Sequence, residues 1–184
     1  SGKTTVAKIF KSYGAKIIDA DRIAHGIIRP KSAIYEEIVN AFGKDILNKD
    51  RTINRNKLAK IVFSNKNLLK VLNKIIHPEV IRVIKGKIQA SKSKIIVLDV
   101  PLLIEAGLGD LVDKLIVVKI KRIKQIERLI NKTTLTKADI LKRIKSQISQ
   151  NVKSRFANFV IDNSGTIEKT KKQAETIRRS LWKN

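Results

Sequence analysis

The sequence predicts an α/β protein built on a parallel sheet. Segments with helical periodicity alternate along the chain with short apolar runs, which is the pattern of strands connected by crossover helices. The two best runs, 94–100 and 114–118, are apolar without alternation, which indicates strands buried on both faces. Three predicted strands end at an acid, Asp19, Asp99 or Asp162. Ligands of open α/β sheets bind at these carboxyl ends, so the acids are candidate site residues.

The first half of the chain is predicted to be mostly helical. Its helix boundaries follow from Gly14 and Gly43 as C-terminal stops, Ser32 as an N-cap and Pro30 as a helix breaker. Pro78 is expected at the first position of a new helix, where its missing N–H is tolerated. The predicted helices cover residues 4–13, 20–28, 32–42, 54–63, 65–76 and 78–90, and a strand covers 16–19.

The second half alternates more evenly between strand and helix. The two apolar strands are followed by a basic helix over 122–131. Thr136 and Asp139 resemble a capping box that opens a helix to about residue 148. A last strand over 159–162 precedes a closing helix. The apolar stripe of that helix consists of Ile167, Ala174, Ile177 and Leu181.

Composition limits the classes of protein to which the chain can belong. Its 184 residues favour one domain, and 42% apolar with 30% charged residues fits a globular, cytoplasmic protein. No apolar run reaches the roughly 20 residues that span a bilayer, and the lack of Cys excludes disulfides and Cys-bound zinc. The net charge of +24 is spread over every segment, and aromatic residues make up only 4%. We therefore interpret the charge as compositional and expect no specific nucleic-acid partner.

The chain opens with residues typical of a phosphate-binding loop. Ser1-Gly2-Lys3-Thr4 matches the second half of G-x-x-x-x-G-K-[ST], whose backbone N–H groups and Lys hold phosphates and whose hydroxyl holds Mg²⁺. The apolar-periodic stretch that follows suits the helix whose N-terminus completes an anion site. The other interpretation is an ordinary helix start. A complete loop has a strand and a first glycine before this point, so we expect about ten further residues upstream of Ser1.

Several acids and one histidine have chemistry that suits phosphoryl transfer, and each also has a structural interpretation. Asp19 or Asp21 suits a proton acceptor for an attacking hydroxyl, although both also suit the junction between a strand and a helix. Asp99 suits a Mg²⁺-linked carboxylate at a strand end, or a simple turn. His77 could contact an anionic substrate, or it could be the N-cap residue of a helix that begins at Pro78.

Two arginines after the third strand are candidate cations for a transferring phosphate. Arg128 and Arg143 lie in a basic helical region, where most charges form a solvated face. Phosphoryl transfer needs mobile cations that cover the γ-phosphate. His25 has only its place on a helix, and we interpret it as structural.

These pieces, in this order, resemble the dephospho-coenzyme A kinase family. The set Asp-Ala-Asp, His-Pro and Pro-Leu-Leu-x-Glu separates this family from other small kinases with a phosphate-binding loop. The matching stretches span nearly the whole chain and are 1–7, 14–21, 76–78, 99–107, 125–128, 143–147 and 160–165. The resemblance implies transfer of the ATP γ-phosphoryl group, with Mg²⁺, to the ribose 3′-hydroxyl of dephospho-coenzyme A. That reaction is the last step of coenzyme A synthesis.

The resemblance also implies a fold and an arrangement of parts. It implies a single, three-layer P-loop kinase domain with a five-stranded parallel sheet, whose first and central strand precedes this chain. A helical coenzyme-binding part would cover about 27–90, and a helical lid would cover about 121–157.

Site residues are implied by position in the family's motifs. Asp21 would be the base that receives the 3′-hydroxyl proton, and Lys3 would act on the transferring phosphate together with the lid arginines. ATP would be held by Ser1, Gly2, Lys3, Thr4, Thr5, Arg128, Arg143, Asn163 and Gly165, the last two in the loop near the adenine. The acceptor would lie against Asp19, Asp21, His77, Leu102 and Glu105. Mg²⁺ would be held by Thr4 and by Asp99, directly or through water.

The chain departs from the family at two places near the lid. Asn131-Lys132 stands where the family usually has Arg-Asp, and Ala157-Asn158 where it usually has Ala-Asp. The alternatives to dephospho-coenzyme A are another nucleotide or small molecule phosphorylated by a P-loop kinase, or polyanion binding on a kinase-like scaffold. The sequence makes no prediction of oligomeric state.

Overall fold

The computed structural model describes residues 1–100, 108–131, 133, 136–145 and 147–182. The chain divides into two compact units. We call 1–17 with 93–184 the core unit, and 18–92 the inserted unit. In the part of the chain described, no helix is long and apolar enough to cross a membrane.

The described residues form both helices and strands, as the α/β prediction requires, and four α-helices follow one another between β1 and β2. In chain order the elements are α1 (Lys3–Ser12), β1 (Lys16–Asp19), α2 (Ala20–Ile27), α3 (Ala33–Phe42), α4 (Arg55–Ser64), α5 (Lys66–Gln89), β2 (Ile96–Asp99), β3 (Ile116–Lys119), α6 (Arg122–Ile130), α7 (Lys137–Lys145), α8 (Gln150–Arg155), β4 (Phe159–Asp162) and α9 (Ile167–Leu181). The predicted strand bounds of β1 and β4 are confirmed without change.

Within the described ranges, the strands form two sheets of two strands each. β1 pairs with β2, and the Lys16 N–H donates to the Ile95 carbonyl at 3.0 Å. β3 and β4 run parallel, with Ile116 opposite Phe159 and Lys119 opposite Asp162. This register brings the carboxyl ends of β3 and β4 together, so the segments that leave these strands start side by side.

The core unit is held by α1 and α9 packed on these strands. Phe10, Ile161 and Ala174 are almost completely buried at the centre of its apolar cluster. Trp182 stacks on Phe10 with ring centroids 5.8 Å apart, and Tyr13 meets the same ring edge-on. Because Phe10 lies two turns after the start of α1, this packing fixes the direction in which the N-terminus of the helix points.

The inserted unit is a helical layer with its own apolar core. Ile38, Ile46 and Val62 are buried there, and α2, α3 and α4 each pack against the long helix α5. The predicted caps of α3 are confirmed. Ser32 Oγ accepts from the Tyr35 N–H at 3.1 Å, and Gly43 ends the helix with φ 81°. Asn and Ser caps therefore fix the helix starts in this unit, as their side-chain chemistry predicts.

The prediction of a helix start at Pro78 is wrong. α5 runs through Pro78 without a break and is 24 residues long. Pro78 has no N–H to donate to the Lys74 carbonyl, and an interior proline costs a helix about 3 kcal/mol. Packing of α5 against three other helices outweighs this local cost, which sequence propensity alone does not include.

Burial corrects two further predictions. All four residues of β2 are half-buried rather than fully buried, because β2 belongs to a two-stranded sheet that gives it limited cover. Ile167, expected on the apolar stripe of α9, is 41% exposed, whereas Thr170 is fully buried one turn later. The short helix α8 was not predicted; Ser149 caps it by accepting from the Val152 N–H.

Candidate active site

The phosphate-loop residues sit at the uncapped N-terminus of α1. Gly2 is the N-cap residue in the left-handed conformation, with φ 87° and ψ 28°, and no side chain caps the helix. Its carbonyl accepts from the N–H groups of Thr5 and Val6, at 3.1 and 3.2 Å. The first turn carries no acidic residue. A helix start without a capping side chain offers backbone N–H donors and the positive end of the helix dipole. These two features favour the binding of a phosphate anion.

The predicted metal ligands Thr4 and Asp99 lie together. The Thr4 hydroxyl donates to Asp99 Oδ2 at 3.0 Å, joining the start of α1 to the end of β2. Among the described residues, no group of three His, Asp or Glu side chains could hold a metal ion. One hydroxyl and one carboxylate nevertheless fit Mg²⁺, which binds proteins through one or two oxygen ligands and completes its shell with substrate phosphates and water.

Asn163 joins the phosphate loop to the last helix. It is 4% exposed and follows β4 directly. Its Nδ2 donates to the Ser1 carbonyl at 2.9 Å, and its Oδ1 accepts from the Thr170 hydroxyl at 3.1 Å. A Cβ atom placed on Gly2 would collide with this Nδ2. The loop therefore needs glycine at position 2 both for its positive φ and for the close approach of the Asn163 amide.

Ser164 fixes the same turn to the start of α6. Its Oγ accepts from the Lys121 N–H at 2.8 Å, and its carbonyl accepts from Lys124 Nζ at 2.6 Å. Its N–H donates to Asp162 Oδ1 at 2.8 Å. Hydrogen bonds from the side chain and backbone of Ser164, and then the charges of Lys121 and Lys119, lower the pKa of Asp162. That carboxylate stays ionised and keeps the turn in place.

Arg128 reaches the phosphate loop from the last turn of α6. Its Nη1 lies 3.7 Å from the position that a Cβ on Gly2 would take. The structure thus brings Gly2, Thr4, Asp99, Arg128 and Asn163 into one region of the core unit. Arg143 lies in α7, and its side chain is outside the described part of the chain, as are Leu102 and Glu105.

Asp19 and Asp21, the two predicted acceptor-side acids, have different local roles in the structure. Asp19 is the N-cap residue of α2, and its Oδ1 accepts from the Arg22 N–H at 3.0 Å. Asp21 is exposed in the first turn of the same helix. The structure thus shows the capping contact that the structural interpretation of Asp19 predicts.

His77 is half-buried in the middle of α5. Burial lowers the pKa of His77 below its ordinary value of 6.5, because desolvation disfavours the charged imidazolium. The side chain is therefore mostly neutral near pH 7. His25 is exposed on α2.

Three residues with structural roles at this site were not predicted. Ser164, Thr170 and Lys124 hold the turn after β4. A signal existed only for Thr170, because a polar residue at position 170 shares a helix face with Ala174, Ile177 and Leu181. Gly165, which was predicted, lies exposed in the same turn.

The chain matches a family model described as dephospho-CoA kinase over residues 1–169. The dephospho-CoA kinase of Carboxydothermus hydrogenoformans is 45% identical over 188 residues, which cover 100% of this chain and 91% of that protein. The enzyme of the same name from Halalkalibacterium halodurans is 40% identical and is covered over 92% of its length.

Two solved structures resemble the whole chain. TT1252 from Thermus thermophilus matches with a TM-score of 0.85 and 26% identity, covering 100% of this chain and 93% of that one. The dephospho-CoA kinase from Campylobacter jejuni matches with a TM-score of 0.67 and 28% identity, covering 98% of this chain and 91% of that one.

Proposed function

The chain belongs to the dephospho-CoA kinase family, and we propose which of its residues perform the reaction. The enzyme is a transferase that phosphorylates the ribose 3′-hydroxyl of dephospho-CoA from ATP, the final step of CoA biosynthesis. The observation that best supports the proposed site is the 3.0 Å contact between Thr4 and Asp99. It joins the two motifs that a phosphoryl-transfer site needs next to each other.

The phosphate loop Ser1–Thr5 holds the phosphates of ATP. The N–H groups at the start of α1 face phosphate oxygens, and the Lys3 ammonium neutralises charge on the phosphoryl group in transfer. The turn Asn163–Gly165 lies beside the nucleotide. Because the loop is preformed, binding needs little reorganisation at the moment of reaction.

Thr4 and Asp99 would hold Mg²⁺ at the end of β2. When bound, the ion would supply positive charge that offsets the negative charge of the ATP phosphates. Thr4 contributes its hydroxyl oxygen and Asp99 contributes a carboxylate oxygen, directly or through water. Their hydrogen bond in the structure sets both oxygens at the edge of the phosphate loop.

Asp21 receives the proton of the 3′-hydroxyl as that oxygen attacks the γ-phosphorus. The exposed position of Asp21 in the first turn of α2 supports this role. Asp19 caps the same helix. Asp19, His77, Leu102 and Glu105 would line the acceptor site. The neutral imidazole favoured by burial would make a hydrogen bond to the acceptor rather than an ion pair.

Arg128 and Arg143 are the cations of a lid at about 121–157. The approach of Arg128 Nη1 to the Gly2 position supports a role at the transferring phosphate. A guanidinium presents a planar fork of donors that matches phosphate oxygens, and developing charge in the transition state strengthens that contact. We assign the acceptor-binding part to about 27–90, and its separate apolar core supports this division.

We further propose that the two sheets are parts of one five-stranded parallel sheet. Among the described residues, β2 and β3 each have only one partner strand. The half-burial of β2, an apolar strand, supports an additional strand between β2 and β3 that leads into the phosphate loop. The relatives are somewhat longer than this chain, which covers 91% and 92% of the two compared.

The test of the proposed function is a phosphoryl-transfer assay at about 0.15 M salt, with CoA detected by chromatography and mass spectrometry. We expect CoA from ATP, Mg²⁺ and dephospho-CoA, and no comparable product when adenosine or AMP replaces the acceptor. Turnover of another nucleotide in preference to dephospho-CoA would assign the site to a different kinase reaction. Salt-sensitive binding of polyanions without any turnover would favour the binding-protein alternative.

A further inference from the structure

Asn163 has both ends of its side-chain amide engaged inside the protein. The Nδ2 group contacts the Ser1 carbonyl, and Oδ1 accepts from Thr170, which is itself fully buried. An amide that reads an adenine ring has to present its donor and acceptor to the edge of the base. The contacts of Asn163 aim instead at the phosphate loop and at α9.

The backbone around Asn163 is fixed on several sides. Its N–H donates to the Lys119 carbonyl at the end of β3, at 2.8 Å. The next residue, Ser164, is held by Lys121, Lys124 and Asp162, as described above. The single hydroxyl proton of Thr170 is shared between Asn163 Oδ1, at 3.1 Å, and the Thr166 carbonyl one turn earlier on α9, at 3.2 Å. A side chain held this firmly can transmit position to the loop that it contacts.

The phosphate loop depends on this contact for its conformation. Gly2 has a left-handed φ of 87°, and its Cα lies so close to the Asn163 amide that no Cβ can be placed there. The Ser1 carbonyl precedes the peptide N–H of Gly2. The hydrogen bond from Asn163 therefore sets the orientation of the Ser1–Gly2 peptide, which belongs to a loop whose N–H groups must point at phosphate.

We propose that Asn163, held by Thr170, is a positioning residue that orients the phosphate loop for the phosphates of ATP and does not select the adenine base. This inference rests on the proposed role of the loop in ATP binding. It deepens that role, because it makes a buried pair after β4 necessary for phosphate recognition.

The test uses inorganic tripolyphosphate, which carries the phosphates of ATP but no base. Its affinity for the intact enzyme is measured by calorimetry for the wild type and for Asn163→Asp, Thr170→Val and Thr170→Ser. Asn163→Asp places an acceptor against the Ser1 carbonyl, and we expect both tripolyphosphate and ATP affinity to fall by about 10- to 100-fold. Thr170→Val removes the hydroxyl that supports Asn163, and it should lower the affinities for tripolyphosphate and ATP by about 3- to 10-fold. Thr170→Ser keeps a hydroxyl at this position, so both affinities should stay near those of the wild type.

The matched control is Asn158→Asp. Asn158 accepts from the Leu115 N–H through its side-chain oxygen, a contact that a carboxylate can also make, so tripolyphosphate affinity should not change. In steady-state kinetics, Asn163→Asp and Thr170→Val should show a higher KM for ATP and an unchanged KM for dephospho-CoA.

Three results would overturn the inference. The first is loss of ATP affinity with tripolyphosphate affinity intact, which would make Asn163 a reader of the base. The second is a lower melting temperature with unchanged affinities, which would make the pair merely structural. The third is failure of Thr170→Ser to restore affinity. Because the affinities are measured without turnover, absence of CoA formation by the wild type would count against the proposed function and not against this inference.

Discussion

The core unit and the inserted unit hold their candidate residues in different ways. In the core unit, the contacts connect residues far apart in sequence: 95 residues separate Thr4 from Asp99, and 162 separate Asn163 from Ser1. In the inserted unit, Asp19 is held by a residue three positions away. The phosphate end of the site thus depends on tertiary structure, whereas the acceptor acids are placed by the local geometry of one helix start.

This difference predicts how many functions a single substitution disturbs in each unit. A change in the core-unit network should disturb several ligand contacts together, because each member supports a neighbour from another element. A change at an acid of α2 should affect one chemical step and leave nucleotide binding intact. The following variants separate these two behaviours, from the largest expected effect to the smallest.

Lys3→Ala should have the largest effect. Its ammonium acts on charge that develops on the transferring phosphate, and loss of such a contact lowers kcat by roughly 10³-fold. The measurement is steady-state kinetics together with a thermal melt, which should change little. If kcat is retained in a folded variant, Lys3 does not act on the transferring phosphate.

Arg128→Ala should lower kcat by about 10²-fold, because a lid cation near the loop is lost. Arg128→Lys restores the charge without the planar donor fork and should recover only part of the rate. The control is the double variant Lys171→Ala/Lys172→Ala, exposed on α9, which should leave kcat/KM nearly unchanged at about 0.15 M salt. Equal losses in the control would mean that the overall charge of the protein, rather than this arginine, supports catalysis.

Gly2→Ala and Gly14→Ala separate a close contact from backbone strain. Both glycines have positive φ, 87° and 95°, so each alanine should cost about 1–2 kcal/mol of stability. Only at Gly2 would the new Cβ meet another group; at Gly14, no atom of the described residues lies within 4 Å. We expect kcat/KM for ATP to fall by about 10²-fold in Gly2→Ala and to stay near wild type in Gly14→Ala. Equal losses of kcat/KM in the two variants would show that backbone strain, and not the close contact at Gly2, causes the effect.

His77 should give the smallest effect, seen in stability rather than in rate. Burial lowers its pKa, so below about pH 6.5 the unfolded chain binds more protons than the folded one. The stabilisation is complete above the unfolded pKa and is lost as pH falls through the folded pKa. His77→Gln should flatten this part of the curve of melting temperature against pH, while His25→Gln on the exposed face of α2 serves as the control. If the curve of melting temperature against pH is the same in His77→Gln as in the wild type, a lowered pKa of His77 does not contribute to stability.

The limits of sequence prediction follow the same division between local and distant contacts. Capping residues predicted helix ends, as at Ser32 and Gly43, because these signals act within one turn. The break at Pro78 was wrong because three packed helices outweigh a local preference. The structure joins Thr4 to Asp99 by a hydrogen bond, and their role as metal ligands stays a prediction.

The contact of Asn163 with Ser1 could not be predicted from pattern. The family resemblance predicts Asn163 in a loop near the adenine, but the direction of its amide depends on β3, α9 and the phosphate loop together. Thr170 shares a helix face with the apolar stripe of α9, but the pattern gives no reason to expect a buried polar residue there, because its partner Asn163 belongs to another element.

The most direct test of the account compares Asp21→Asn with Asp19→Asn. We assign proton transfer to Asp21 and helix capping to Asp19, and Asn is as good a cap as Asp. In steady-state assays of CoA formation, Asp21→Asn should lower kcat by about 10²–10⁴-fold with the KM for ATP unchanged, and Asp19→Asn should stay near the wild-type rate. A severe loss in Asp19→Asn with a mild effect in Asp21→Asn would contradict this assignment of the two carboxylates.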